Sequence, residues 1–368
     1  MNRPIKYLIL ITLTAALMFG FLHLFIPGHN FERLHIFLFN LCGGGTLLLV
    51  FSEGKRALSP RTAAFYILSL LYAVFAFFTL YRYAVAAAIV LALLVETVRV
   101  RRFSLFPFDF FRWRTPVHDK FHQAALLCLS LGLVISSLVI ANQEYWKVAA
   151  SPKLTLDIFF LGFSFPVSLI TMSLMFGMME KRGGLPARLL KEYAFWAVNL
   201  GVIIFFIFIL LEMLIAELVI ALSLFLAVCV VFFLYLKLSA GNQPKSFLTS
   251  GIAFLIMTAI TGILYILLYL FIPEPPGGKL LLRLHALISL YGWNLTGLAV
   301  LSRREDFPIR LHSGRIILFH WIIVTVIAPL GFYSRLFSIM AVVSYGTFLY
   351  LILFTRGKTH PSRQAGAR

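Results

Sequence analysis

The stretch GVIIFFIFILLEMLIAELVIALSLFLAVCVVFFLYLKL, residues 201–238, contains only three charged side chains: Glu212, Glu217 and Lys237. In water such a segment would expose apolar surface all round. In lipid it is ordinary, because a hydrocarbon core about 30 Å thick is crossed by about 20 apolar residues in a helix. The stretch therefore predicts two spans, 191–212 and 217–236, with Glu212 and Glu217 marking the turn between them. The same test finds runs near 7–26, 34–52, 62–80, 83–99, 122–141, 155–178, 248–272, 282–302, 314–333 and 336–355. In one of the narrowest divisions, only Tyr81-Arg82-Tyr83 interrupts the apolar run. The expected fold class is all-α, a polytopic membrane bundle of twelve transmembrane helices.

Composition agrees with this reading. Of the 368 residues, 61% are hydrophobic and 12% charged, against about 25% charged in a soluble domain. The net charge of +18 would suggest nucleic acid in a soluble chain, but cytoplasmic loops of membrane proteins collect Lys and Arg. No basic stretch is interleaved with a soluble fold, so no nucleic-acid partner is expected and the lipid bilayer is the main one. With the N-terminus inside and the runs alternating, inner segments hold 25 of the 32 cations and outer segments 7, namely Arg33, Arg82, Lys147, Lys153, Lys279, Arg283 and Arg335. That asymmetry predicts both termini on the cytoplasmic side. Residues 1–355 form a single transmembrane domain, and 356–368 a basic cytoplasmic tail whose composition predicts disorder. The first run lacks a small-residue cleavage signature and reads as a retained helix. Phe103 to Trp113, aromatic and basic, is expected along the inner membrane surface. Cys42, Cys128 and Cys229 lie inside apolar runs and make no disulfide framework.

An ionisable side chain within a membrane helix is a candidate for function, because its burial in lipid is unfavourable. His360 is in the tail, His118, His122 and His312 are at inner helix ends, and His29 is in an outer turn. His23, His35, His285 and His320 fall within helices. Two of these share their surroundings: Arg33-Leu34-His35 opens the second helix and Arg283-Leu284-His285 the tenth. Both helices begin at the outer face, which places each imidazole about one turn into the membrane. The seventh residue onward returns to nearly the same helix face, and there stand Cys42 and Gly292, with Gly43, Gly44, Gly45 and Gly297 beyond. An imidazole above a shallow groove on each of two helices suits a flat macrocycle, and His is a standard axial ligand of haem iron. Arg33, Arg283 and Arg335 are outer cations suited to carboxylates such as haem propionates. The plain alternative is that small residues let helices pack closely, the histidines bond neighbouring carbonyls and the arginines anchor headgroups.

This pattern resembles the central subunit of the heme-copper oxidase and nitric oxide reductase superfamily, which has twelve helices with inner termini. Its low-spin haem is held by histidines at the outer starts of helices two and ten, which His35 and His285 match. Leu290-Tyr291-Gly292-Trp293 resembles the Gly-Trp of the cbb-type branch, and Phe159-Phe160-Leu161-Gly162-Phe163-Ser164-Phe165-Pro166-Val167 is similar to the segment bearing a copper ligand on helix six. Arg335 lies where the family places propionate-binding arginines. His285-Ala286-Leu287 and Leu301-Ser302-Arg303 resemble the tenth helix of the NnrS family, which is linked to nitric oxide tolerance. The departures are specific: no His stands near Phe163, none occurs in 191–212, and Arg283 occupies the position of the high-spin haem ligand. The resemblance thus implies a divergent, copper-less member, holding heme b through His35 and His285. Its expected place is the cytoplasmic membrane of a prokaryote. Its expected role is electron transfer or gas-ligand handling without oxygen reduction, served by a respiratory or redox partner protein. The competing classes are a small-solute transporter or channel and a structural or assembly partner of a respiratory complex. No phosphate loop, dinucleotide fingerprint or zinc-ligand spacing occurs. Ser302-Arg303-Arg304-Glu305-Asp306 reads as a solvated inner loop, and Glu96 and Asp157 as helix-end groups reaching water.

Overall fold

The computed structural model describes residues 1–26, 28–148, 153–154, 162–179, 184–239, 244–272, 275–304 and 314–355. Among the described residues the chain is helical, with one isolated antiparallel bridge, Met179 to Ser239. Ten helices are long and apolar enough to cross a membrane: α1 Arg3–Phe25, α2 Phe31–Ser52, α3 Pro60–Phe77, α4 Tyr81–Arg102, α5 Val117–Trp146, α7 Gly184–Leu210, α8 Leu214–Leu238, α9 Pro244–Phe271, α10 Gly278–Ser302 and α12 Arg335–Phe354. Two shorter apolar helices, α6 Gly162–Met178 and α11 Gly314–Leu330, complete the described set. The protein is thus a multi-pass, all-α membrane protein. Residues 155–161 of the expected sixth span, with Asp157, lie outside the described residues, as do His312, His360, Glu305 and Asp306.

Two of the turns between helices are tight. Each is closed by a residue other than glycine in the left-handed region, Thr79 at φ 59° between α3 and α4 and Glu212 at φ 58° between α7 and α8. The second break therefore falls at residues 211–213, earlier than the acidic pair suggested. Glu217 lies inside α8, where it is buried, while Glu212 reaches Lys153 at 3.2 Å.

Burial sorts the helices into two shells. In the apolar stretches of α2 and α10, 83% and 78% of residues are buried, against 28% in α7, α8 and α9. Every residue of α6 from Phe165 to Phe176 is buried except Ser168. α2, α6 and α10 thus form the centre: α6 touches both others, and α2 meets α10 through Thr46–Ser52 and Leu295–Ser302. The surrounding contacts recur every four helices, since α1 packs on α2, α5 on α6 and α9 on α10, while α4 meets α5, α8 meets α9 and α12 meets α1. Three four-helix units, each contributing its second helix to the core, account for this pattern.

Lipid offers helices no hydrophobic reason to associate, so close packing and polar contacts must hold them. Small residues provide the first. A Cβ on Gly132 of α5 would stand 2.4 Å from the Gly162 Cα of α6, and one on Gly297 of α10 would stand 2.7 Å from the Thr171 Cβ of α6. Polar bolts provide the second: Asn294 of α10 receives a bond from Ser168 at 2.8 Å and gives one to the Ser164 hydroxyl at 2.9 Å. Trp293 Nε1 donates to Ser168 at 2.9 Å. The Gly132–Gly162 contact is backbone against backbone, which no rotamer change can relieve. We expect Gly132→Ala to destabilise by about 1–3 kcal/mol or more, seen as a lower midpoint of unfolding in detergent. Gly177→Ala, whose Cβ would meet nothing nearer than His118 at 3.9 Å, should unfold like the parent.

Two groups that the sequence placed in a solvated loop or at a helix end, Arg303 and His122, are buried, and Glu96 is partly buried. Arg303 is 1% exposed and caps α12, donating to the carbonyls of Ile352, Leu353 and Thr355 at 2.7–2.9 Å. His122 is buried with its Nε2 2.7 Å from the Ser52 hydroxyl. Glu96 takes bonds from Arg99 and Ser130, and Arg99 also holds the carbonyls of Ser104 and Leu105, fixing the start of the inner loop. A helix end buried among other helices has orphan carbonyls of its own, and Arg303 is recruited to satisfy those of α12. The loop that follows α4 exposes Leu105, Phe106, Phe108, Phe111 and Trp113 beside Arg112 and Arg114, as an interfacial segment would.

Candidate functional site

All three core helices depart from α-helical winding, α2 and α10 near their middles and α6 at its described start. The wider π form runs through Phe37–Gly45 in α2, residues 162–164 in α6 and Ile288–Asn294 in α10. Such segments leave backbone groups without their usual partners and recur at functional sites. In α2 and α10 the π segment starts two and three residues after a histidine.

Those two histidines are held by the same device. His35 Nδ1 lies 2.8 Å from the carbonyl of Ala16 in α1, and His285 Nδ1 lies 2.9 Å from the carbonyl of Thr258 in α9. In each case the helix immediately preceding in the chain provides the carbonyl, and a glycine four residues further along it makes room for the ring. A Cβ on Gly20 would meet His35 Nδ1 at 3.0 Å, and one on Gly262 would meet His285 Cε1 at 3.1 Å. The third unit repeats the arrangement without the imidazole. There Gly132 of α5 lies directly against Gly162 of α6, glycine on glycine. Phe163 is fully buried against Phe37 and Tyr72.

A carbonyl can only accept, so Nδ1 carries the proton in both rings. A hydroxyl oxygen stands at each Nδ1 as a second acceptor, Tyr291 Oη at 2.9 Å from His35 and Thr261 Oγ1 at 3.3 Å from His285. In the neutral ring the lone pair is then on Nε2. This is the form a metal-binding imidazole takes, its far N–H tied to a carbonyl that fixes tautomer and orientation. His35 sits about one turn into α2, as expected, whereas His285 sits about two turns into α10.

The groove expected beneath the imidazoles is not there. A Cβ on Gly43 would strike Leu13, on Gly44 Val167, on Gly45 Phe65, and on Gly292 Phe254, each within 3.0 Å, and Cys42 is fully buried. These small residues seat neighbouring helices, as small residues in membrane helices commonly do.

Two of the three arginines converge. Arg283 lies 5.8 Å from the ring of Phe332 and Arg335 5.4 Å from that of Phe25, while Phe332 contacts Phe21 one turn from Phe25 on α1. Both are exposed, at the starts of α10 and α12. Arg33 is elsewhere. It lines a cavity of about 100 Å³ with Phe37, Tyr72, Tyr81, Gln143 and Glu144, toward α3 and α5, and donates to the Ala76 carbonyl at 3.4 Å.

The remaining histidines have other occupations. His320 is buried against Phe254 and Phe348, with Nε2 2.6 Å from the Tyr291 carbonyl. His23 faces Glu32 at 3.8 Å. Among the described residues no three His, Cys, Asp or Glu side chains cluster as a metal site would. Sequence reasoning missed Tyr291, whose only signal was its place beside the Gly-Trp pair. No family model matches the chain, nor does any curated protein or solved structure.

Proposed function

We propose that this protein is a b-type haem protein of a prokaryotic cytoplasmic membrane, related to the central subunit of the heme-copper oxidases. One observation carries the reading: two histidines, at the outer ends of two core helices, both hold Nδ1–H on a carbonyl and leave Nε2 to act as donor. A histidine that merely packs needs no such repetition, and the same glycine-and-carbonyl seat occurs in two units of the fold. His35 and His285 would hold the haem through Nε2, and Arg283 and Arg335 would face its carboxylates. Arg33, turned toward α3 and α5, is left out of that set. Haem held in this way would supply one-electron exchange at the outer side of the bilayer. With no histidine in α6 or α7, a copper ion would lack its usual imidazoles, so the role is electron transfer or gas-ligand handling without oxygen reduction.

The twelve apolar helices then cross the membrane with both termini in the cytoplasm. Reporter fusions after Arg56, Arg114, Lys245 and Arg304 should read cytoplasmic, and fusions at Gly28, Lys147 and Gly278 external. A single strong reversal would force a recount of the neighbouring spans. The haem itself is tested by absorption: protein purified after expression with ample haem should show a Soret band with sharp reduced α and β bands. A colourless protein would leave a solute transporter as the better reading.

A further inference from the structure

We infer that Tyr291 is a positioning and tuning residue for His35, and that the π segment of α10 exists to aim it. The inference rests on the reading of His35 as a ligand. Tyr291 is buried in the middle of that segment, and its phenol crosses from α10 to α2. Its ring packs on His35, Phe39 and Tyr345 at centroid distances of 5.6, 5.1 and 5.1 Å. Its backbone is fixed independently. The N–H of Leu295 bonds the carbonyls of Leu290 and Gly292 and skips that of Tyr291, which receives Nε2–H of His320 instead. A carbonyl freed by the π turn is thereby satisfied from α11, and the residue bearing it is pinned. His320, ringed by Phe247, Phe254 and Phe348, has this bond as its evident task.

The chemistry at the phenol follows from the tautomer. His35 Nδ1 must donate to Ala16, so its hydrogen is shared with Tyr291 Oη and the phenol oxygen accepts. Tyr291 therefore has no base at His35 to take its proton, which excludes a tyrosyl radical relay through that imidazole. What an acceptor at Nδ1–H does is draw the hydrogen away and enrich Nε2, making it a stronger donor. A stronger donor favours ferric iron. Removing the phenol oxygen weakens this without moving the ring, because the Ala16 carbonyl stays.

The test compares Tyr291→Phe with Tyr345→Phe. Tyr345 is equally buried and touches Tyr291, but its hydroxyl has no hydrogen-bond partner, so it controls for the loss of a buried hydroxyl nearby. Tyr291→Phe should shift the ferric–ferrous equilibrium about threefold toward ferrous, which is about 30 mV upward at 59 mV per decade. Tyr345→Phe should leave the potential at the parent value. An unchanged or lowered potential in Tyr291→Phe, or an equal rise in both variants, would overturn the inference. Should the parent protein prove colourless, the haem reading fails but this contact is still measurable. In protein labelled with nitrogen-isotope histidine, the Nδ1 resonance of His35, assigned by its loss in His35→Ala, should move in Tyr291→Phe and stay in Tyr345→Phe. A resonance unmoved in both would overturn the contact itself.

Discussion

Replacing His35 or His285 with alanine should strip the haem from the purified protein or leave a five-coordinate, high-spin centre. The effect is expected to be this large because, among the described residues, no other histidine is seated in the same way. His320 is committed through Nε2 to the Tyr291 carbonyl, and His23 and His29 belong to the outer end, near Glu32 and Phe77. His23, about one turn from Gly20 on α1, is turned to Glu32 instead. His118→Ala, at the inner end of α5, should leave the spectrum as it was. Weaker variants should grade the effect. Gly20→Ala and Gly262→Ala each push a methyl to 3.0–3.1 Å from an imidazole. Each should lower haem occupancy by displacing the ring, with its ligand nitrogen chemically intact. Wild-type spectra in both histidine variants would return these residues to packing.

Lys120→Met should be the most destabilising single change at the inner end of the bundle. The ammonium of Lys120, 2% exposed, contacts both oxygens of Glu192 at 2.8 and 3.0 Å, and Phe195 covers it. Both ions have left water, so each depends on the other. Removing one leaves an uncompensated charge in an apolar site, at about 3–5 kcal/mol, whereas replacing both with apolar groups is often neutral. Lys120→Met should therefore lower the unfolding midpoint steeply, and Lys120→Met with Glu192→Leu should recover most of it. Recovery is the diagnostic result, because simple loss of packing would make the double variant worse than the single one.

The transmembrane class, the helices and most of their limits were legible in the sequence, because 20-residue apolar runs broken by Lys and Arg have one physical reading. The seat of each histidine was not. Gly20 and Gly262 are single small residues in helices 1 and 9, and nothing local marks them as opposite an imidazole. Only the packing of sequential helices brings Ala16 to His35 and Thr258 to His285. The groove inferred under the histidines failed for a related reason. Periodicity places Gly292 on a helix face but cannot say that Phe254 fills it. Arg303 was assigned to water because its loop is polar, yet the end of α12 that it caps is itself buried. The threefold recurrence of the fold was invisible because it lies in which helices pack together, and its third unit meets through Gly132 and Gly162 with no imidazole to mark it.

The central claim is that His35 and His285 are partners in binding one iron. The most direct measurement is the reduced-minus-oxidised absorption and low-temperature magnetic resonance spectrum of the purified protein, with its iron and haem content per chain. One haem per chain, low-spin and six-coordinate in both oxidation states with a bis-imidazole signature, is the expected result. A haem-free protein, or a haem whose spectrum survives loss of either histidine, would contradict the account.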